Sequence, residues 1–227
     1  SCFAREVENA LKELGVSLTS DGLEFPVQWV DPNHAQARNK STEELEKTFG
    51  KRTPINRYST HSITYDFERV FTDRGSFEET ILDLGDGSKY WELFSLPPPP
   101  PFAVKSNPQR FRFFNASYDE VSENLDNLYT LLRSHINDAV KIIITTSPIP
   151  LGSTYTDKDV IVANSRSKCI LCAAAQDFAN KNKFVDYFPS YEMVTNSQLD
   201  VWEEDGVHVK KPYVKEIMQR FCDIYFP

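Results

Sequence analysis

Asp205-Gly-Val-His208 sets a carboxylate three residues before an imidazole, with Gly206 between them. A carboxylate at that spacing can hold one ring nitrogen and leave the other for proton transfer. An imidazole so oriented is the base half of a hydrolase site. The nucleophile half is offered near the other end, in Ser1-Cys2-Phe3-Ala4. A serine at a helix start has backbone N–H groups and the positive end of the helix dipole beside it, and both favour an oxyanion. His208 would then take the hydroxyl proton. Cys2 competes with Ser1, but it falls inside the helix beside apolar Phe3. Each half also has a plain reading. Asp205 and His208 could form a solvated surface turn, and Ser1 could be an N-cap. A third arrangement uses the α-amine of Ser1 as its own base; folds of that kind need long antiparallel sheets.

The elements that would position these groups follow from periodicity. Phe3, Val7, Ala10, Leu11 and Leu14 recur at helical spacing and Gly15 stops the helix, which predicts a helix over 2–14. A short strand is expected at Val27 to Val30. Ser41-Thr-Glu-Glu44 is a capping box for a short helix ending at Gly50. Asn56 to Ser62 reads as a polar loop leading into a helix that carries Ile63, Phe67, Val70 and Phe71. Residues 73–116 read as an irregular insertion, with the run Pro97 to Pro101 extended and unable to join a ladder. Ser117-Tyr-Asp-Glu120 is a second capping box. The helix it opens is followed by a strand over Val140 to Thr146, a helix over 162–180 and a strand over Phe184 to Phe188. An amphipathic helix begins at Pro212.

Helix, strand, helix, strand and helix in that order predict an α/β fold with a mainly parallel sheet covered on both faces. Sites in such sheets lie beyond the carboxyl ends of the strands. Those ends are Thr146-Ser147 and Phe188-Pro189-Ser190, and the Asp205/His208 loop follows the second. The 227 residues suit one large domain.

A net charge of −8 argues against nucleic acid as a partner, because such binders need a basic face to displace counterions. No apolar run approaches a membrane span. The four cysteines do not look like a disulfide framework, which makes the cytoplasm the expected location. Cys169-Ile-Leu-Cys172 is a C-x-x-C, but it lies in an Ala-rich helix where small buried cysteines pack, and no second pair supports zinc. We expect no metal and no cofactor.

Several polar residues could serve the same chemistry. Asn56 and Asn164 could donate to an oxyanion, and Lys168 could bind an acidic or sugar substrate. Trp202 offers a face for a sugar. Their structural alternatives are Asn164 as a helix cap, Lys168 solvated, and Trp202 and Phe188 as packing. Tyr191 and Glu192 would open a helix after Ser190. His61 belongs to the Asn56 loop, and His34 and His135 read as solvated.

Six segments in order resemble the GSCFA family. Ser1-Cys-Phe-Ala4 resembles its signature without the leading Gly, and Asn56-Arg-Tyr-Ser-Thr-His-Ser-Ile63 resembles its Asn-x-Tyr loop. Thr146-Ser-Pro-Ile-Pro-Leu-Gly-Ser-Thr154, Val162-Ala-Asn-Ser-Arg-Ser-Lys168 and Asp186-Tyr-Phe-Pro-Ser-Tyr-Glu192 resemble three further blocks. Asp205-Gly-Val-His208 resembles the last. The family is related to the SGNH (GDSL-like) hydrolases. The resemblance therefore implies a flavodoxin-like three-layer α/β/α sandwich over 1–227, with a first strand ahead of Ser1.

It also implies roles: Ser1 as nucleophile, His208 as base and Asp205 as its orienting partner. Cys2, Asn56, Asn164, Lys168 and Trp202 are candidates for the oxyanion or the substrate. The implied substrate is a small-molecule or glycan ester, either hydrolysed or used for acyl transfer. The oxyanion Gly and Asn blocks of SGNH enzymes have no clear match; Leu84-Gly-Asp-Gly-Ser-Lys-Tyr-Trp91 resembles the corresponding family segment loosely. The alternative is a non-catalytic module that keeps the fold and takes a protein partner through Pro97–Pro101.

Overall fold

The computed structural model of the protein describes residues 2–18, 60–72, 81–83, 89–91, 109, 114–136 and 140–227. Helix α1 (Cys2–Glu13) ends in a Schellman turn. Gly15, at φ +80°, donates to the Lys12 carbonyl at 3.0 Å, and Val16 donates to that of Leu11 at 3.0 Å. Helix α2 (Thr60–Phe71) begins inside the stretch expected to be loop. Strands β1 (Ile81–Asp83) and β2 (Lys89–Trp91) pair antiparallel, Ile81 opposite Trp91, within the segment read as irregular. Three-residue strands are too short for alternation to register in a sequence.

The second half follows the predicted order. Helix α3 (Tyr118–His135) has the capping box: Glu120 N–H donates to Ser117 Oγ at 3.3 Å, and Ser117 N–H to Glu120 Oε2 at 2.8 Å. Strand β3 (Ile142–Ile144) is shorter than the expected strand. Helix α4 (Val160–Lys181) starts two residues before the expected position, because Asp159 caps it by accepting from Ile161 N–H at 2.8 Å. Strand β4 (Val185–Tyr187), the short helix α5 (Ser190–Thr195) and helix α6 (Lys211–Tyr225) complete the described chain. The fold is mixed helix and strand with a small parallel sheet, in which Ile142, Ile143 and Ile144 face Val185, Asp186 and Tyr187.

Neighbouring residues of a strand point to opposite faces, and the core divides accordingly. Ile142, Ile144 and Val185 pack with Val121 and Leu125 of α3 and Ala174 and Phe178 of α4. Ile143 packs in a second cluster, with Ala10 of α1, Val194 of α5 and Val214, Ile217 and Met218 of α6. Ile217 is 1% exposed. Burying such a side chain stabilises by about 1.5–3 kcal/mol.

Helices α1 and α6 run side by side in the same direction. Glu6 lies near Lys211 and Val214, Glu13 pairs with Lys215 at 2.9 Å, and Leu14 shares a groove with Cys222 and Phe226. The starts of both helices therefore sit at one end of the molecule.

His135 is not simply solvated. Its ring stacks on Phe71 of α2 at 4.7 Å and 19°. Thr64 of α2 also donates to Asn124 Oδ1 of α3 at 2.5 Å. Val27 to Val30, the helix from Ser41, His34 and Pro97–Pro101 lie outside the described residues.

Candidate active site

The Asp205/His208 segment is the tip of a narrow hairpin. Trp202 and Val209 form an antiparallel bridge, and Glu203 N–H donates to the His208 carbonyl at 2.8 Å. The turn between them needs Gly206, which has φ +65°. Gly206 N–H donates to the Glu203 carbonyl at 2.9 Å.

Both oxygens of Asp205 are used. Oδ1 accepts from the backbone N–H of Val207 and of His208, each at 2.9 Å, and Oδ2 meets His208 Nδ1 at 2.5 Å. The N–H of His208, then its imidazole, then the N–H of Val207 hold the Asp205 carboxyl down to about 2. An ionised carboxylate only accepts, so Nδ1 carries the proton of the neutral ring and Nε2 is its basic atom. The two side chains are half exposed, 48% for His208 and 50% for Asp205.

The pair borders a cavity of about 240 Å³. Its walls come from segments far apart in sequence. Glu6 belongs to α1, Ile149 follows β3, Glu203 and Val209 flank the hairpin, and Lys211 and Val214 belong to α6. Three carboxylates and one ammonium thus line the cavity with the imidazole. Glu6 lies four residues beyond the first residue of α1, about 6 Å along a helix axis.

A polar cluster sits at the carboxyl ends of β3 and β4. Ser190, 1% exposed, donates to the Thr146 carbonyl at 3.1 Å and bonds Thr145 Oγ1 at 2.6 Å. Lys168 Nζ donates to the Ser147 carbonyl at 2.5 Å, and Asn164 Oδ1 accepts from Leu151 N–H at 3.0 Å. Tyr187 donates to Glu192 at 2.8 Å. Burial first, and then the Glu192 carboxylate, push the Tyr187 hydroxyl pKa up strongly. Burial also raises the Cys172 thiol and lowers the Lys168 ammonium.

A family model described as the GSCFA family matches residues 93–221, more than half of the chain. The chain belongs to the GSCFA family. Neither the curated proteins nor the solved structures contain a match to it. The GSCFA match contains Asp205, His208, Asn164, Lys168 and Trp202, whereas Ser1, Cys2 and Asn56 precede it.

Of the predicted site residues, the structure brings Asp205 and His208 together at the cavity. Asn164 does not cap α4, a role taken by Asp159, and Lys168 is buried rather than solvated. Both bind the backbone of the segment after β3. Trp202 closes the hairpin through its bridge to Val209 and packs against the α1/α6 core. Phe188 lies in that core, edge-on to Phe221 at 5.1 Å. Cys2 begins α1, while its side chain, Ser1 and Asn56 lie outside the described residues.

Of the C-x-x-C pair, Cys172 is half-buried. Cys169 is exposed, so buried packing does not account for it. Among the described residues no group of three His, Cys, Asp or Glu could hold a metal ion. None of their helices is long and apolar enough to cross a membrane. Sequence reasoning missed Glu6, Ile149, Glu203 and Lys211. Only Glu6 left a signal, a carboxylate one turn into the helix headed by the candidate nucleophile.

Proposed function

We propose that the protein is a serine hydrolase of SGNH type that cleaves an ester (O-acyl) bond on a small molecule or glycan. The observation that carries this reading is the Asp205–His208 bond of 2.5 Å at the edge of a cavity that α1 also lines. Ser1 attacks the acyl carbon while His208 Nε2 takes its hydroxyl proton. The tetrahedral oxyanion rests on backbone N–H groups at the start of α1. The C–O bond to the alcohol then breaks, and the imidazolium returns the proton to that alcohol. Water repeats the sequence on the acyl-enzyme, giving the acid and free Ser1. An acceptor alcohol in place of water makes the same site an O-acyltransferase.

The cavity volume of about 240 Å³ favours a short acyl group. Helices on both faces of β3 and β4 support the α/β/α sandwich as part of this reading, with 1–227 as one domain. A cytoplasmic location accords with the free thiols of Cys169, Cys172 and Cys222.

One observation favours the second reading, a non-catalytic module. Asn164 and Lys168 are engaged by backbone and do not line the cavity. A fluorophosphonate probe separates the two. The enzyme gives one adduct, located on Ser1 by peptide mass analysis and lost in His208→Ala. A folded protein that takes no adduct is the module.

A further inference from the structure

We propose that Lys168 is a positioning residue for the reaction at His208, holding the turn that forms the Ile149 wall of the cavity. The proposal rests on the hydrolase reading above. Lysine is almost never fully buried without a charged partner. Lys168 is 7% exposed, and among the described residues no carboxylate lies within ion-pair distance of it. Its ammonium donates to the Ser147 carbonyl at 2.5 Å. An ammonium has three N–H donors, so this is a poorly compensated buried charge. An apolar side chain of the same length would avoid the desolvation but leave the Ser147 carbonyl without its donor. A charge buried at such a cost has its use in what the Ser147 carbonyl supports.

That carbonyl begins Ser147-Pro-Ile-Pro-Leu151. Pro148 and Pro150 lack N–H groups, so the segment cannot tie itself into a ladder. Side chains tie it instead. Lys168 holds Ser147 at one end, and Asn164, one helical turn earlier on α4, holds Leu151 at the other. Ser147 Oγ accepts from Ile149 N–H at 3.3 Å between them. Ile149 then packs on the α1/α6 core and lines the cavity with Asp205 and His208. Movement of the turn displaces the wall against which an acyl group is set beside Nε2. A misplacement of about 1 Å costs roughly 100-fold in rate.

Lys168→Met in the full chain keeps the stem and removes the charge and the donors. Lys168→Gln restores a neutral N–H donor. Three readouts are compared with the wild type: the fluorophosphonate rate split into maximal rate and half-saturation, Tm, and amide exchange of Ser147, Ile149 and Leu151. We expect Lys168→Met to lose about 10- to 100-fold in maximal labelling rate. Half-saturation should hold, Tm should change by only a few degrees because the relieved desolvation offsets the lost donor, and exchange should quicken at those three amides alone. Lys168→Gln should recover part of the rate, and it serves as the test by itself if Lys168→Met does not fold.

A rate within twofold of the wild type overturns the proposal. So does a slow variant with lower Tm and faster exchange throughout, which marks an ordinary structural role. Failure of the hydrolase reading looks different: the wild type itself takes no label, or His208→Ala takes it as fast. The positioning role falls with it, while the exchange pattern still reports whether Lys168 holds the turn.

Discussion

Asp205→Asn tests the electrostatics of the site with the smallest change of shape. The amide oxygen can keep both backbone bonds, from Val207 and His208 N–H at 2.9 Å. The other atom becomes an NH2 donor facing His208 Nδ1, where Oδ2 accepted at 2.5 Å. Two donors cannot share a bond, so the ring must carry its proton on Nε2 and its lone pair on Nδ1. The base then faces the wrong way. General base catalysis contributes about 10²–10⁴-fold. Both side chains are half exposed, 48% and 50%, so water screens the pair and the lower end applies. We expect kcat/KM on a short-chain nitrophenyl ester to fall roughly 100-fold.

The pH profile adds a sign. Asp205 is held to about 2 and stays charged through the working range. The wild type should then show one acid limb, set by protonation of His208. A carboxylate favours the imidazolium, so its removal should move that limb to lower pH. Linkage gives the stability trend. A carboxyl held below its unfolded value of about 3.9 stabilises above that pH and loses the effect as pH falls towards 2. The Tm difference between wild type and variant, modest because the pair is half exposed, should therefore be at its largest at pH 7 and fade as pH falls through about 2. A plateau within twofold of the wild type, or a limb displaced upward, would refute the assignment of Asp205 as orienting partner.

Three further outcomes follow from the geometry. Gly206→Ala forces a side chain to φ +65° in otherwise open space, so its cost is strain alone, about 1–2 kcal/mol; thermal melts should show a loss of roughly 2–8 °C. Ile217→Ala should cost about 2–5 kcal/mol by urea titration, because it opens the core where α6 meets α1 and β3. Ser190→Ala removes the donor to the Thr146 carbonyl and should cost about 1–3 kcal/mol, with a melt at wild-type Tm counting against it.

The helices were legible where local chemistry marks their ends. Gly15, the Ser117 capping box and Pro212 each sit where α1, α3 and α6 stop or start. The start of α4 was misplaced because Ile161 and Val162 are apolar yet exposed, which blurred the pattern after the true cap, Asp159. The solvated Lys168 and helix-capping Asn164 that the sequence allows are not found, for a different reason. Their environment comes from packing of α4 against the chain beyond β3, which leaves no trace at their own positions. Within the site, the Asp205–His208 contact spans three residues and could be read from spacing. The cavity could not, because Glu6 and Ile149 meet the hairpin only through tertiary structure.

The pairing of α1 with α6 also sets an order of events during synthesis. Glu13 and Lys215 are 202 positions apart, and both their helices line one cavity. Contacts of such separation are slow to form, because a long stretch of chain must be closed first. On the ribosome, α1 emerges well ahead of α6, and Val7, Leu11 and Leu14 lack the α6 side of their packing until that helix leaves the exit tunnel. Between those two events the nascent chain exposes a sticky helix face and carries an unassembled candidate site, so any chaperone that binds α1 competes directly with the step that completes it.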